Sequence, residues 1–114
     1  MADTDWRKFL VHTNDRLDSL RRGIPGVARG FEDLVQHVGA PGALDGKTKE
    51  LIALAIGIAA RCDGCLAFHA KAAIEAGASR AEILETIGVA IYMGGGPSMI
   101  YGAEALEAFD QLTE

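Results

Sequence analysis

Cysteine is scarce in this chain, with two residues in 114, Cys62 and Cys65, three positions apart. One such pair is no disulfide framework for a secreted fold, so the thiols point to chemistry or to metal. Aromatic residues make up 6% of the chain and prolines number three. Positive charge is also short, 11 Lys and Arg against 16 Asp and Glu, for a formal net charge of −5. No basic surface dominates, phosphate-backbone binding loses its usual driving force, and nucleic acid is not an expected partner. Long apolar runs are missing too: the longest, residues 51–60, is about half of what a bilayer crossing needs. The amino terminus, Met1-Ala2-Asp3-Thr4-Asp5, is acidic where an export signal would be basic and then apolar. These absences predict a soluble, cytoplasmic protein with no membrane partner. What is present, 49% hydrophobic and 24% charged residues, is ordinary globular usage. The length suits one core and one domain over residues 1–114.

The apolar periodicity is helical throughout and predicts an all-α fold of about six helices. Trp6, Phe9, Leu10, Thr13, Leu17 and Leu20 share one face of a first helix from about Asp5 to Arg22, stopped by Gly23. After Pro25, the positions Val27, Phe31, Leu34, Val35 and Val38 define a second helix ending near Gly39. A third begins around Asp45 to Lys47 and is apolar on every side from Leu51 to Ala60, which predicts burial all round. The fourth carries Cys62 to Ala76 and closes at Gly77. Ser79 followed by Glu82 has the form of a capping box for a fifth, which Gly94, Gly95 and Gly96 break before Pro97 starts the last. High alanine content favours helix over strand for the apolar runs.

Chemistry concentrates at Cys62-Asp63-Gly64-Cys65. On a helix, Cys62 and Cys65 lie about 60° apart and His69 about 40° beyond Cys65, so all three share a face. A thiolate near a helix start is favoured by unpaired N–H groups and the macrodipole. The imidazole one turn on can exchange a proton, and the two sulfurs are close enough to form a disulfide. Two other readings of the same residues stand beside this one. The cysteines can be plain core residues, or Cys62, Cys65, His69 and Glu50 can ligate Zn²⁺, although no second ligand pair occurs elsewhere in the chain. Glu50 by spacing alone reads as a solvated first-turn carboxylate, about 18 Å down its own helix from Cys62. His12 and His37 read as surface residues, and Gly94 to Gly96 as a tight turn without the Lys or Ser/Thr of a phosphate loop.

Glu50, eleven intervening residues, Cys62-x-x-Cys65-x-x-x-His69, and then Gly94-Gly95-Gly96-Pro97 with Tyr101 together resemble the signature of the AhpD-like alkylhydroperoxidase and carboxymuconolactone decarboxylase family. The resemblance implies an AhpD-like helical domain. It also implies thiol-dependent reduction of a hydroperoxide, with Cys65 attacking, Cys62 resolving, and Glu50 and His69 relaying protons. No cofactor or metal is implied. The pair would be reset by a dithiol reductant of lipoyl or thioredoxin type, in a homo-oligomer, trimeric or hexameric as in similar proteins. The decarboxylase branch lacks the cysteine pair, and the characterised peroxidase type has a second His where this chain has Gly64. The alternatives are a non-catalytic redox sensor or interaction subunit, and an enzyme acting on another small substrate.

Overall fold

The helices start where the sequence supplies either a capping side chain or a first-turn proline. Asp5 accepts from the amides of Arg7 and Lys8, and Asp45 from that of Thr48 at 2.8 Å. Ser79 and Glu82 form a complete capping box. Prolines 25 and 97 sit in the first turns of the second and sixth helices, where no amide hydrogen is needed. The resulting computed structural model describes residues 3–114, so Met1 and Ala2 of the acidic amino-terminal run lie outside it. The described residues form α1 (Trp6–Gly23), α2 (Pro25–Gly39), α3 (Gly46–Ala59), α4 (Asp63–Glu75), α5 (Arg80–Gly94) and α6 (Gly96–Leu112). The fold is all-α with six helices. None of them is long and apolar enough to cross a membrane.

Helices α3 to α6 make a bundle in which α3 packs on α4 and α5, and α6 on the same two. Lys47 pairs with Glu82 at 2.8 Å, joining the starts of α3 and α5, so those neighbours run in the same direction. Arg80 pairs with Asp110 at 2.9 Å, joining the start of α5 to the end of α6, so that pair is antiparallel. Leu54, Ile58, Leu66, Ala73, Ile83, Ile87, Ala90, Ala105 and Phe109 fill the middle. Burial is one-sided for α3, contrary to its all-round apolar sequence. Leu54, Gly57 and Ile58 are buried, but Ile52 and Ile56 face away from the bundle and are exposed. The helix has neighbours on one side only.

α1 lies over α4 and α6. Its Trp6 is 1% exposed and sits with Leu10 on Ala67, Ala70 and Ala108, whose small side chains leave room for the indole. The indole N–H donates to Glu107 at 2.8 Å, and the Trp6 amide donates to Gln111 at 2.8 Å.

Candidate functional site

The joint between α3 and α4 builds the site. Past Ala59 the chain turns through Arg61, the sole described non-glycine residue with positive φ, at 58°. The Cys62 amide donates back to Gly57 at 3.0 Å and that of Arg61 to Ile58 at 3.1 Å. That pattern closes a helix over a left-handed residue, where glycine is usual. An L side chain in this conformation costs about 1–2 kcal/mol. Arg61→Gly should therefore stabilise the protein by about 1 kcal/mol, read as a higher urea midpoint with an unchanged slope. A lower midpoint would show that the arginine side chain more than offsets the backbone cost.

Cys62 is the N-cap of α4, in extended conformation, and its sulfur accepts the Cys65 amide at 3.2 Å. The pair thus straddles the helix start, with Cys62 outside it, and does not lie on one continuous helical face. A capping residue needs non-helical φ and ψ, which is why the expected helix loses its first residue. The two sulfurs are joined as a disulfide with Cα atoms 5.2 Å apart. Both residues are partly buried.

Glu50 is not the freely solvated carboxylate that spacing suggested. Its Oε2 lies 2.8 Å from His69 Nδ1, and the two side chains are 31% and 35% exposed. Antiparallel packing explains the meeting: Glu50 is far down α3 from Cys62, but His69 is displaced the same way along α4 and comes level with it. A neutral imidazole that donates Nδ1–H to the carboxylate keeps a lone pair on Nε2, ready to accept a proton.

Two glycines shape this corner. A Cβ at Gly57 would lie 2.8 Å from the Cys65 Cβ, so the missing side chain is what lets α4 begin against α3. At Gly64 a Cβ would meet only the Thr13 methyl, at 4.0 Å, so the position has room for a side chain. Acidic residues border the site: burial, then the charges of Asp63 and Glu107, raise the Glu104 carboxyl above its ordinary pKa. Among the described residues no three His, Cys, Asp or Glu side chains gather as a metal-binding set. Gly94 to Gly96 is the tight turn between α5 and α6, with Gly95 at φ 75°. His12 and His37 are exposed. The sequence places a turn near Arg61 but gives no sign of its left-handed backbone, and it leaves Gly57 unremarked, although an isolated glycine inside an apolar helix is itself a sign of close approach.

The fold has relatives. The carboxymuconolactone decarboxylase family model matches residues 25–108, and the chain belongs to that family. Among solved structures, a carboxymuconolactone decarboxylase family protein from Legionella pneumophila superposes with a TM-score of 0.92 at 44% identity, over 96% of this chain and 97% of that one. A family member from Thermotoga maritima, for which involvement in antioxidative response has been suggested, gives 0.81 at 30% identity over 91% and 89%. An uncharacterised protein of Cupriavidus necator is 33% identical over 109 residues, 96% of each chain.

Proposed function

We infer that this chain is a thiol-dependent peroxidase that reduces hydroperoxides through Cys62 and Cys65. The observation that carries the reading is the hydrogen bond from Glu50 on α3 to His69, which stands one turn past Cys65 on α4, beside a pair of cysteines already able to form a disulfide. The antioxidative role suggested for the Thermotoga relative agrees with it. In the first step the Cys65 thiolate attacks a peroxide oxygen, the O–O bond breaks, and the leaving alkoxide takes a proton from the imidazolium of His69 to become the alcohol. Cys65 is then a sulfenic acid. The Cys62 sulfur attacks the Cys65 sulfur, an S–S bond forms, and hydroxide leaves with the Cys62 proton as water. Glu50 holds the ring in the orientation and tautomer this transfer needs. A dithiol reductant returns two electrons and two protons to the disulfide and becomes a disulfide itself.

Continuous loss of a small alkyl hydroperoxide in the presence of excess dithiol is the expected result. Oxidation by one equivalent that then stops, without turnover, would reject the enzyme and leave a redox sensor. His69→Ala should slow peroxide consumption near neutral pH by about 100-fold or more, and Glu50→Gln by a smaller factor, with helix content unchanged. The pH profile of thiol alkylation is the check. Profiles identical to wild type for both variants would remove the relay and leave the helix start as the source of thiol activation.

A further inference from the structure

Arg61 holds a backbone conformation that glycine would adopt at less cost, yet the chain keeps a long charged side chain there. Nothing within the fold accounts for it. Arg7, Arg21 and Arg80 each donate to a carbonyl or a carboxylate, whereas the exposed Arg61 side chain has no hydrogen-bond or ion-pair partner among the described residues. Residues held in sparsely populated conformations gather at functional sites, and Arg61 directly precedes Cys62.

The charges around the thiols give a cation at this point something to do. Asp63, the first residue of α4, follows Cys62. On α6, Glu104 and Glu107 border the same corner, and burial together with the charges of Asp63 and Glu107 already disfavours ionisation of Glu104. Glu50 of α3 is a further carboxylate, bonded to His69 of α4. α1 brings the Thr13 methyl toward Gly64, and its charged residues on either side of Thr13, His12, Asp15 and Arg16, are exposed. The last two turns of α5 hold one titratable group, the exposed Tyr92. Carboxylates in this number oppose a thiolate, which the helix start and the Cys65 amide favour. From Gly57 to Ala70 the only Lys or Arg is Arg61.

We propose that Arg61 is a positioning residue for the thiolate: its guanidinium offsets the surrounding carboxylates and favours loss of the first proton from the reduced Cys62–Cys65 pair. The Cα of Cys62 is one peptide unit, about 3.8 Å, from that of Arg61. Cys65 is 5.2 Å further along, Cα to Cα from Cys62, so an arginine side chain can serve either sulfur. The proton passes to solvent and the cation acts on the sulfur, not on the peroxide. The proposal rests on reading the pair as reactive thiols, and alkylation in the absence of peroxide tests it apart from turnover.

The reduced full chain is alkylated with iodoacetamide, an uncharged probe, across a range of pH, and the modified peptides are followed by mass spectrometry. Arg61→Gln removes the charge but leaves an L side chain in the left-handed turn, while Arg61→Gly removes the charge and relieves the backbone. Both should move the alkylation profile to higher pH by the same amount, although only the glycine variant gains stability. Below the thiol pKa the rate should fall by about threefold, the Coulomb factor for unit charges about 6 Å apart in a medium like water, and by more in a drier site. Arg61→Lys should restore most of the wild-type profile, and salt at about 1 M should bring wild type toward the glutamine variant. Profiles of both uncharged variants superposing on wild type would overturn the proposal. A shift in one of them alone would overturn it too, as an effect of the backbone. Slower reaction with iodoacetate but not with iodoacetamide would overturn it and make Arg61 an anion-docking group. Shifted profiles in a protein that does not turn over hydroperoxide would support the role of Arg61 and reject the peroxidase.

Discussion

Cys65→Ser should lower hydroperoxide turnover by at least about a thousandfold, because it removes the attacking sulfur and with it any disulfide. Oxidised wild type should also be more stable than the variant by about 2 kcal/mol, the entropy of closing so short a loop. Denaturation with and without a reducing agent separates the two effects, since reduction removes the stability difference and leaves the activity difference intact. Cys62→Ser sharpens the assignment. With the resolving thiol gone, one equivalent of peroxide should leave a sulfenic acid on Cys65, and a carbon-acid trap should add to that residue in the mass spectrum. The sulfur of Cys62 holds the capping position and accepts the Cys65 amide, which by itself favours a thiolate there. A trapped sulfenic acid on Cys62 in the Cys65→Ser protein, with none on Cys65 in Cys62→Ser, would reverse the order of attack.

Trp6→Ala should cost about 3–5 kcal/mol, the usual range for deleting a large buried aromatic. The indole is almost fully covered, sits on three alanines, and donates to Glu107. None of those alanines can extend to fill the space. The loss is a large fraction of the whole stability of a domain this size, so α1 should release from α4 and α6 as the protein is heated or titrated with urea. Amide exchange should report it first in residues 6–23. A loss below about 1 kcal/mol would mean that α1 is held by its other contacts, chiefly Arg7 on the carbonyls of Gln111 and Glu114.

Helix limits were readable because their signals are local. Asp5, Pro25, Asp45, Ser79 with Glu82, Gly77 and the Gly94 turn each mark a boundary through the chemistry of one or two side chains. Which faces the helices bury was less legible. The sequence of α3 is apolar all round, and only its neighbours decide that Leu54 is covered while Ile56 is not. Cys62, Cys65 and His69 could be grouped from spacing within one segment. The partnership of Glu50 with His69 could not, since it depends on how far two antiparallel helices slide past each other, and only the family resemblance pointed to it. A turn near Arg61 is legible, but its left-handed angle is not, for a related reason: that angle is set by the closing bonds of α3 and not by the residue's own preference.

Gly57 works as a register key. It is the notch on α3 into which Cys65 fits, and Leu54, the neighbouring residue on the same side, has a full side chain. Sliding α4 by one turn, about 5.4 Å, would carry Cys65 out of the notch and toward that leucine. With the slide fixed there, the rest is counting: seven residues back from Gly57 is Glu50, and four residues on from Cys65 is His69. Those intervals correspond to about 10 Å and 6 Å along the two helices, close enough for a carboxylate and an imidazole to span the remainder. A hydrogen bond in the site is thus dimensioned by an absent side chain about two helical turns away, and any residue larger than glycine at position 57 would detune it without touching either partner.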